Sequence, residues 1–219
     1  GNERLECYLL LSNMTSLWLL QTTGIPDDLY QKVDVFATTQ EDFMAKSIFV
    51  KLPHIKSPYP ALDRKPIDVN SETTVHLVIL GKNDLAEALA INAALVAHYP
   101  NYCRDHRLRT RISIVADDIY EWKDQLIQRY QHLFDNSYYR IINLEEENPH
   151  CLCHQPMYGK TREDFVDVEW EFVNGNLRND ALRTKLSEWG ESENQQLTVA
   201  ICTDDQQRNF IEAFTLPEE

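Results

Sequence analysis

The chain has 219 residues, 43% of them hydrophobic, and carries a formal net charge of −14 at pH 7. This length suits one large domain, or a domain with a smaller unit, and allows a sizeable core. The acidic charge, without a long basic run, argues against a nucleic-acid partner, because contacts to phosphates need clustered Lys and Arg. The sequence has no run of about 18 apolar residues, so no membrane span is predicted. Five cysteines, an odd number, favour a reducing compartment with free thiols.

The chain begins with a predicted strand–helix–strand–helix unit, residues 1–53. Its two strands and two helices are read from apolar runs and helical spacing: Leu5–Leu11, Met14–Thr22, Val33–Ala37 and Gln40–Lys51. Residues 54–70 are predicted to be a proline-rich linker, because each proline fixes φ and removes a backbone donor. The front unit is either a degenerate or partial copy of the domain that follows, or similar to it by chance.

The stretch Thr74–Ala97 is the centre of the predicted fold. Val75–Leu80 is a short, β-branched apolar run, typical of a strand buried in a parallel sheet. Gly81 follows at once, and Asp84 then opens a segment rich in Ala and Leu. We expect Asp84 to cap the helix, where its charge suits the positive end of the helix dipole. Strand, glycine turn and helix together are the opening of a dinucleotide-binding βαβ unit.

The turn matches only part of the dinucleotide fingerprint G-x-G-x-x-G/A. Gly81 holds the first glycine position and Ala86 is an accepted residue at the third, but Asn83 replaces the second glycine. That glycine lets the backbone approach a pyrophosphate. Asn tolerates positive φ better than most residues, so two interpretations stay open. The turn binds a nucleotide, or it is an ordinary βα turn whose helix end binds nothing.

Strands and helices alternate along the rest of the chain. The predicted elements are Arg111–Ala116, Ile119–Phe134, Tyr139–Leu144, Val166–Val173, Asp180–Trp189 followed by a stop at Gly190, Leu197–Cys202 and Asp204–Phe214. This alternation predicts an α/β fold with a doubly wound, mostly parallel, Rossmann-like sheet over residues 71–219. An insertion lies at about residues 119–167, and Glu145–Asp164 within it is predicted to be irregular.

Single residues and short motifs suggest little chemistry beyond this turn. Asp117 ends the second core strand, where an acidic residue either holds a ribose hydroxyl or caps the next helix. The run His150–His154 has four potential metal ligands, but adjacent residues cannot all face one ion, so we predict a polar loop without metal. His76 lies inside the central strand and is predicted to be a buried, hydrogen-bonded histidine. No Walker motif or G-x-S-x-G elbow is present, so no catalytic residue is predicted.

Three stretches, in this order, resemble the TrkA-N or RCK (regulator of potassium conductance) family of nucleotide-binding domains. They are the Gly81 turn, Glu-Phe-Val-Asn-Gly-Asn at 171–176, and Ala-Ile-Cys-Thr-Asp-Asp-Gln-Gln-Arg-Asn at 200–209. The resemblance implies that the cofactor-binding residues are Gly81, Lys82, Asn83, Asp84, Ala86, Asp117, Gly175, Asn176, Thr203 and Asp204. Asp117 would lie at the ribose. The departures are Asn83 for Gly, Asn176 for Asp, and the insertion.

By this resemblance the chain is a regulatory domain that binds NAD(H) or NADP(H), and not an enzyme. We expect it to be cytoplasmic, at the inner face of a membrane through a segment not in this sequence. Its expected partners are itself, as a homodimer or higher oligomer, and a membrane-spanning domain in the same or an associated chain. The alternative is a Rossmann-like scaffold that has lost its ligand. A dehydrogenase would need a substrate domain, for which the sequence has no room.

Overall fold

The computed structural model describes residues 4–27, 31–49, 62, 65–144, 146, 152–156, 165–175 and 179–216. The strands are β1 (Leu5–Leu11), β2 (Val33–Thr39), β3 (Thr74–Leu80), β4 (Thr110–Ala116), β5 (Tyr138–Asn143), β6 (Leu152–His154), β7 (Val168–Asn174) and β8 (Gln195–Ile201). The helices are α1 (Met14–Thr23), α2 (Gln40–Phe49), α3 (Asp84–Val96), α4 (Ile119–Arg129), α5 (Gln131–Asp135), α6 (Asp180–Gly190) and α7 (Gln206–Thr215), with a 3₁₀ turn at Pro100–Cys103. None of the described helices is long and apolar enough to span a bilayer.

Six strands form one sheet in the order β6-β5-β7-β4-β3-β8. All neighbouring strands in it are parallel except the β5–β6 pair. The predicted α/β fold with a mostly parallel, Rossmann-like sheet is therefore confirmed. The chain leaves β3 on one side, towards β4 and β7, and then crosses back to β8 on the other. Such a reversal of strand order opens a crevice at the carboxyl ends of the strands.

Helix α3 lies at the centre of the molecule because one of its faces consists of alanines. Ala86, Ala90, Ala93 and Ala97, the predicted small-residue face, are all buried. Small side chains let a helix approach a sheet closely, and β3 beneath α3 is buried from Val75 to Leu80. From the other side, α2 packs on α3, where Asn92 Nδ2 donates a 3.1 Å hydrogen bond to Asp42 Oδ1.

The front unit has its own two-stranded sheet, in which β1 and β2 are parallel and pair from Leu5–Val33 to Leu11–Thr39. A sheet of two strands is not stable by itself in water. Its support comes from α1 and α2, whose residues Met14 and Phe49 belong to the same core cluster as α3 and the main sheet. The domain limits predicted at residues 53 and 70 fall in and near the part of the chain that the structure does not describe.

Three predictions of local structure are wrong. The helix predicted over Ile119–Phe134 breaks at Tyr130, which leaves helical backbone angles and whose hydroxyl donates to Glu87 Oε1 on α3 at 3.0 Å. Gly190 is the last residue of α6 and not the residue after its end, and Glu191 follows as the C-cap with right-handed helical backbone angles. Part of the segment predicted to be irregular is β6, which covers the outer side of β5 and is too short to show a periodic pattern.

A chain of buried hydrogen bonds crosses one face of the sheet below α6. The amide Nε2 of Gln195 donates to His76 Nδ1 at 2.9 Å, so the ring proton lies on His76 Nε2, which is 2.7 Å from Ser113 Oγ. Ser113 Oγ in turn donates to Glu171 Oε2 at 2.6 Å, and Arg140 Nε lies 3.2 Å from Glu171 Oε1. His76 is fully buried, with Trp189 edge-on against its ring. The predicted structural role for His76 agrees with this geometry.

Protonation of His76 is expected to destabilise the fold. Burial, followed by the charges of Arg111, Lys185 and Arg140, lowers the pKa of His76 well below 6.5. Below pH 6.5 the unfolded chain therefore binds a proton that the folded chain does not, and stability is lost as pH falls, by at most about 1.4 kcal/mol per pH unit from this residue. The denaturation midpoint in urea, measured between pH 7.5 and 5.5, tests this.

A His76→Asn variant serves as the control for this pH dependence. The variant is less stable at every pH because the ring is lost, but its stability should fall less steeply below pH 6.5 than that of the wild type. Comparing slopes removes the contribution of His98, whose pKa is raised by its hydrogen bond to Asp167 and which acts in the opposite direction. Equal slopes in the two proteins would contradict the assignment to His76.

Candidate functional site

A cavity of about 380 Å³ lies at the carboxyl ends of β3, β4, β7 and β8. Its apolar floor includes Leu80, Val115 and Leu182, and its rim is polar. This is the crevice where the strand order reverses, and open α/β sheets bind their ligands at this point. The volume lies at the small end of the range of about 300–1,000 Å³ for small-molecule sites.

Most of the residues predicted to bind a cofactor surround this cavity. Those that line it are Gly81, Lys82, Asp117, Gly175, Thr203 and Asp204. Asn83 is hydrogen-bonded to one of them, Asp204, while Asp84 and Ala86 lie in the first turn of α3 and do not line it. Asn176 lies outside the described residues. Six of the ten predicted residues thus meet at one cavity, although they come from four separate parts of the chain.

Gly81 is required by strand packing. Its N–H donates to Val115 O at 2.9 Å, and the neighbouring Leu80 O accepts from Cys202 N at 2.8 Å, which continues the contacts of β3 with both neighbouring strands. The backbone has φ +135°, and a Cβ added at Gly81 would lie 2.1 Å from Cys202 O. The glycine of the predicted phosphate turn is therefore explained by the close approach of two backbones, without any ligand.

Asn83 caps helix α3, a role that the sequence analysis had assigned to Asp84. Its backbone is extended, with φ −101°, and its side-chain Oδ1 accepts from Ala86 N at 3.0 Å. The same side chain donates from Nδ2 to Asp204 Oδ1, also at 3.0 Å. Asn83 therefore satisfies one of the amides at the helix start. It also joins the β3 side of the crevice to the β8 side.

Lys82 and the two aspartates after β4 form another side of the cavity. Lys82 Nζ donates to the backbone oxygens of Asp117 and Asp118, at 2.7 and 3.0 Å. The residue that precedes α4 as its N-cap is Asp118, in the left-handed conformation with φ +52°, and its side chain makes no capping bond. Asp118 thus holds the N-cap position of α4, and Asp117, immediately before it, lies on the cavity wall.

The Thr-Asp-Asp…Asn pattern has a local structural role. Asn209 Oδ1 accepts from both the backbone N and the hydroxyl of Thr203, at 2.8 and 2.6 Å, and Asn209 Nδ2 donates to Thr203 O. Asp205 caps α7 by accepting from Gln207 N and Arg208 N. These bonds fix the turn between β8 and α7, and leave Asp204 directed at Asn83.

The sequence analysis missed several lining residues: Asp118, Asp205, Arg208 and Glu212. The last three follow a helical spacing, so a helical projection that starts at the cap of α7 would have placed them on one face. Arg208 Nε pairs with Glu212 Oε1 at 3.1 Å. The lining thus holds five carboxylates, with Lys82 and Arg208 as its cations. Its formal charge is 2 − 5 = −3.

The thiol in the cavity lining is not reactive, and the described residues form no cluster of metal ligands. Burial raises the pKa of the Cys202 thiol to about 11, so this thiol stays protonated and unreactive at neutral pH. No group of three or more potential metal-binding side chains is found in the described part of the chain. Of the predicted polar loop, Cys153 and His154 are neighbours on β6 and so face opposite ways. His150 and Cys151 lie outside the described residues.

Comparison of the chain with protein-family models, with curated proteins and with solved structures finds no match.

Proposed function

We propose that this chain is a regulatory domain that binds a nucleotide-type ligand, of the NAD(H) class or a part of it, at the carboxyl ends of its parallel strands. The observation that carries the proposal is the convergence of six predicted cofactor-binding residues on one cavity at the reversal of strand order. The resemblance to TrkA-N and RCK domains assigns these residues from the sequence alone, independently of the cavity. A regulatory role is proposed because the lining suggests no pair of acid and base poised for catalysis.

The cavity offers suitable partners for a nucleoside. Carboxylates accept hydrogen bonds from ribose hydroxyls, and Asp117 lies at the end of the second core strand, where a ribose is held in dinucleotide-binding folds. The apolar floor, with Leu80, Val115 and Leu182, suits the face of a base.

Helix α7 is proposed to transmit binding to a partner, because its two faces differ. Arg208 and Glu212 line the cavity, whereas the side chains of Phe210, Ile211 and Phe214 are 67%, 61% and 75% exposed. Exposed aromatic and aliphatic side chains grouped on one helix face are typical of protein contact surfaces. We propose that this face meets a second copy of the chain or a membrane-spanning domain at the cytoplasmic side of a membrane.

A thermal-shift titration tests ligand binding. With 1 mM NAD⁺, NADH, NADP⁺, ATP, ADP or adenosine, a ligand with a dissociation constant near 10 μM would stabilise the fold by about 2.7 kcal/mol. For a chain of this size that raises Tm by about 5–10 °C. Asp117→Ala should abolish most of the shift. Asp34→Ala, an exposed carboxylate on β2, is the matched control and should leave the shift unchanged.

A second function, a ligand-free interaction module, is favoured by the Asn83–Asp204 hydrogen bond. This bond ties the two sides of the crevice together with the protein's own side chains. If no compound shifts Tm by more than about 1 °C at 1 mM, the ligand-binding proposal is wrong and this module is the better description. Self-association measured by analytical ultracentrifugation, and its loss in Phe210→Ser, would then support the module.

A further inference from the structure

Building on the proposed function, we infer that the cavity selects a nucleoside without phosphate groups over a nucleotide or dinucleotide. The structure points to this narrower ligand class through three separate features: the capped start of α3, the acidic lining and the volume of the cavity.

The first feature is the use of the helix start by the protein itself. In dinucleotide-binding folds the pyrophosphate is held at the N-terminus of this helix, and the second glycine of the turn makes room for it. Here Asn83 occupies that position, and its Oδ1 accepts a hydrogen bond from the backbone N of Ala86. The first helical turn also carries the carboxylate of Asp84, whereas that of Glu87 is buried and paired with Arg129. An incoming phosphate would have to displace the cap and approach Asp84.

The second feature is the charge of the lining, five carboxylates against two cations. Both cations already have partners in the protein. Lys82 Nζ donates to the carbonyl oxygens of Asp117 and Asp118. Arg208 Nε donates to Glu212. Like charges placed together disfavour binding. A neutral nucleoside avoids this repulsion, and its hydroxyls are donors for the carboxylates that repel a phosphate.

The third feature is size. A cavity of about 380 Å³ is at the lower limit for small-molecule sites and suits one nucleoside rather than both halves of a dinucleotide. The Asn83–Asp204 bond joins the residue that caps the helix start to a residue of the cavity lining, so the usual position of a pyrophosphate is occupied by the protein's own contacts. All three features act in the same direction, against the phosphate part of the ligand.

Isothermal titration of the full chain with adenosine, guanosine, AMP, ADP and NAD⁺ tests the inference. One of the two nucleosides should bind, and for the adenine series the affinity should fall from adenosine to AMP to ADP, with at least about a tenfold difference between the ends. If ADP or NAD⁺ binds as tightly as adenosine, or more tightly, the inference is wrong while the proposed function stands. If none of the five binds, the proposed function itself fails.

Asn83→Gly tests the role of the cap, because it restores the glycine of the fingerprint. The variant should reduce the ratio of the dissociation constants of ADP and adenosine to about threefold or less, because the Ala86 amide and the space beside it become free. Asn13→Gly is the matched control, since Asn13 caps α1 in the same way, accepting from Ser16 N at 2.8 Å, and does not line the cavity. An unchanged preference in Asn83→Gly would overturn the inference.

Discussion

Replacing Gly81 with alanine should destabilise the protein by more than about 4 kcal/mol, or prevent folding altogether. The added Cβ would lie 2.1 Å from Cys202 O and 2.6 Å from Cys202 C, and these are backbone atoms that cannot turn away as a side chain would. β3 and β8, the edge strand beside it, would have to separate at their carboxyl ends, which breaks the Cys202 N to Leu80 O hydrogen bond. Such overlap in a packed core is among the few causes of very large effects.

Gly24→Ala is the matched control for this prediction. Gly24 also has a positive φ, +71°, but no atom lies within 4 Å of its added Cβ. Its substitution therefore measures backbone strain without overlap and should cost about 1–3 kcal/mol. Urea denaturation of the two variants and the wild type separates the two effects. If Gly81→Ala unfolds at the same urea concentration as Gly24→Ala, β3 and β8 are not in the close contact described.

Replacing Glu171 with alanine should destabilise the fold by about 3–5 kcal/mol. Glu171 is buried, accepts from Ser113 Oγ, and lies 3.2 Å from Arg140 Nε and 3.8 Å from Arg111 Nε. Without its carboxylate, Ser113 loses its acceptor inside the core and the arginines keep only the neighbouring Glu169. Most of this cost comes from the unpaired Ser113 hydroxyl and the space left in the core, because Arg111 and Arg140 are 33% and 31% exposed and stay partly hydrated.

Two comparisons make this prediction specific. Glu171→Gln keeps the shape and the acceptor for Ser113 but removes the charge, so it should cost less than Glu171→Ala. Asp34→Ala removes a carboxylate that pairs with Arg4 at 3.0 Å on the surface, where both side chains are more than 40% exposed. That surface pair is worth at most about 1 kcal/mol. Chemical denaturation that gives equal losses for Glu171→Ala and Asp34→Ala would contradict the buried network.

The elements themselves could largely be predicted from the sequence, because local patterns determine them. The strand Leu5–Leu11 has the predicted ends, and β3 begins one residue earlier than predicted, at Thr74. The side-by-side order of strands could not be derived in this way. β7 pairs with β4 although β5 and β6 come between them in the chain, and such pairings depend on contacts distant in sequence that periodicity does not record.

The position of the cavity could be predicted from the sequence, but the hydrogen bonds among its residues could not. The glycine turn and the Thr-Asp-Asp…Asn pattern led to the correct end of the sheet, since residues after parallel strands meet there. The sequence did not indicate that Asn83 bonds Asp204, a residue 121 positions away. Nor did it indicate that Gly81 and Asn209 have structural reasons to be present. A motif shared with ligand-binding domains therefore locates a crevice more reliably than it identifies its occupant.

The position of α3 between the main sheet and α2 has a consequence for how the molecule opens. Its buried residues contact β3 on one side, while α2 covers the other, so α3 cannot be exposed unless the front unit or the main sheet comes away. Amide protons of α3 should then exchange with deuterium only when the front unit detaches or the whole fold opens, whereas those of the exposed strand β1 exchange through local fraying. The front unit thus shares its core with α3, and the two sheets should unfold in a single calorimetric transition.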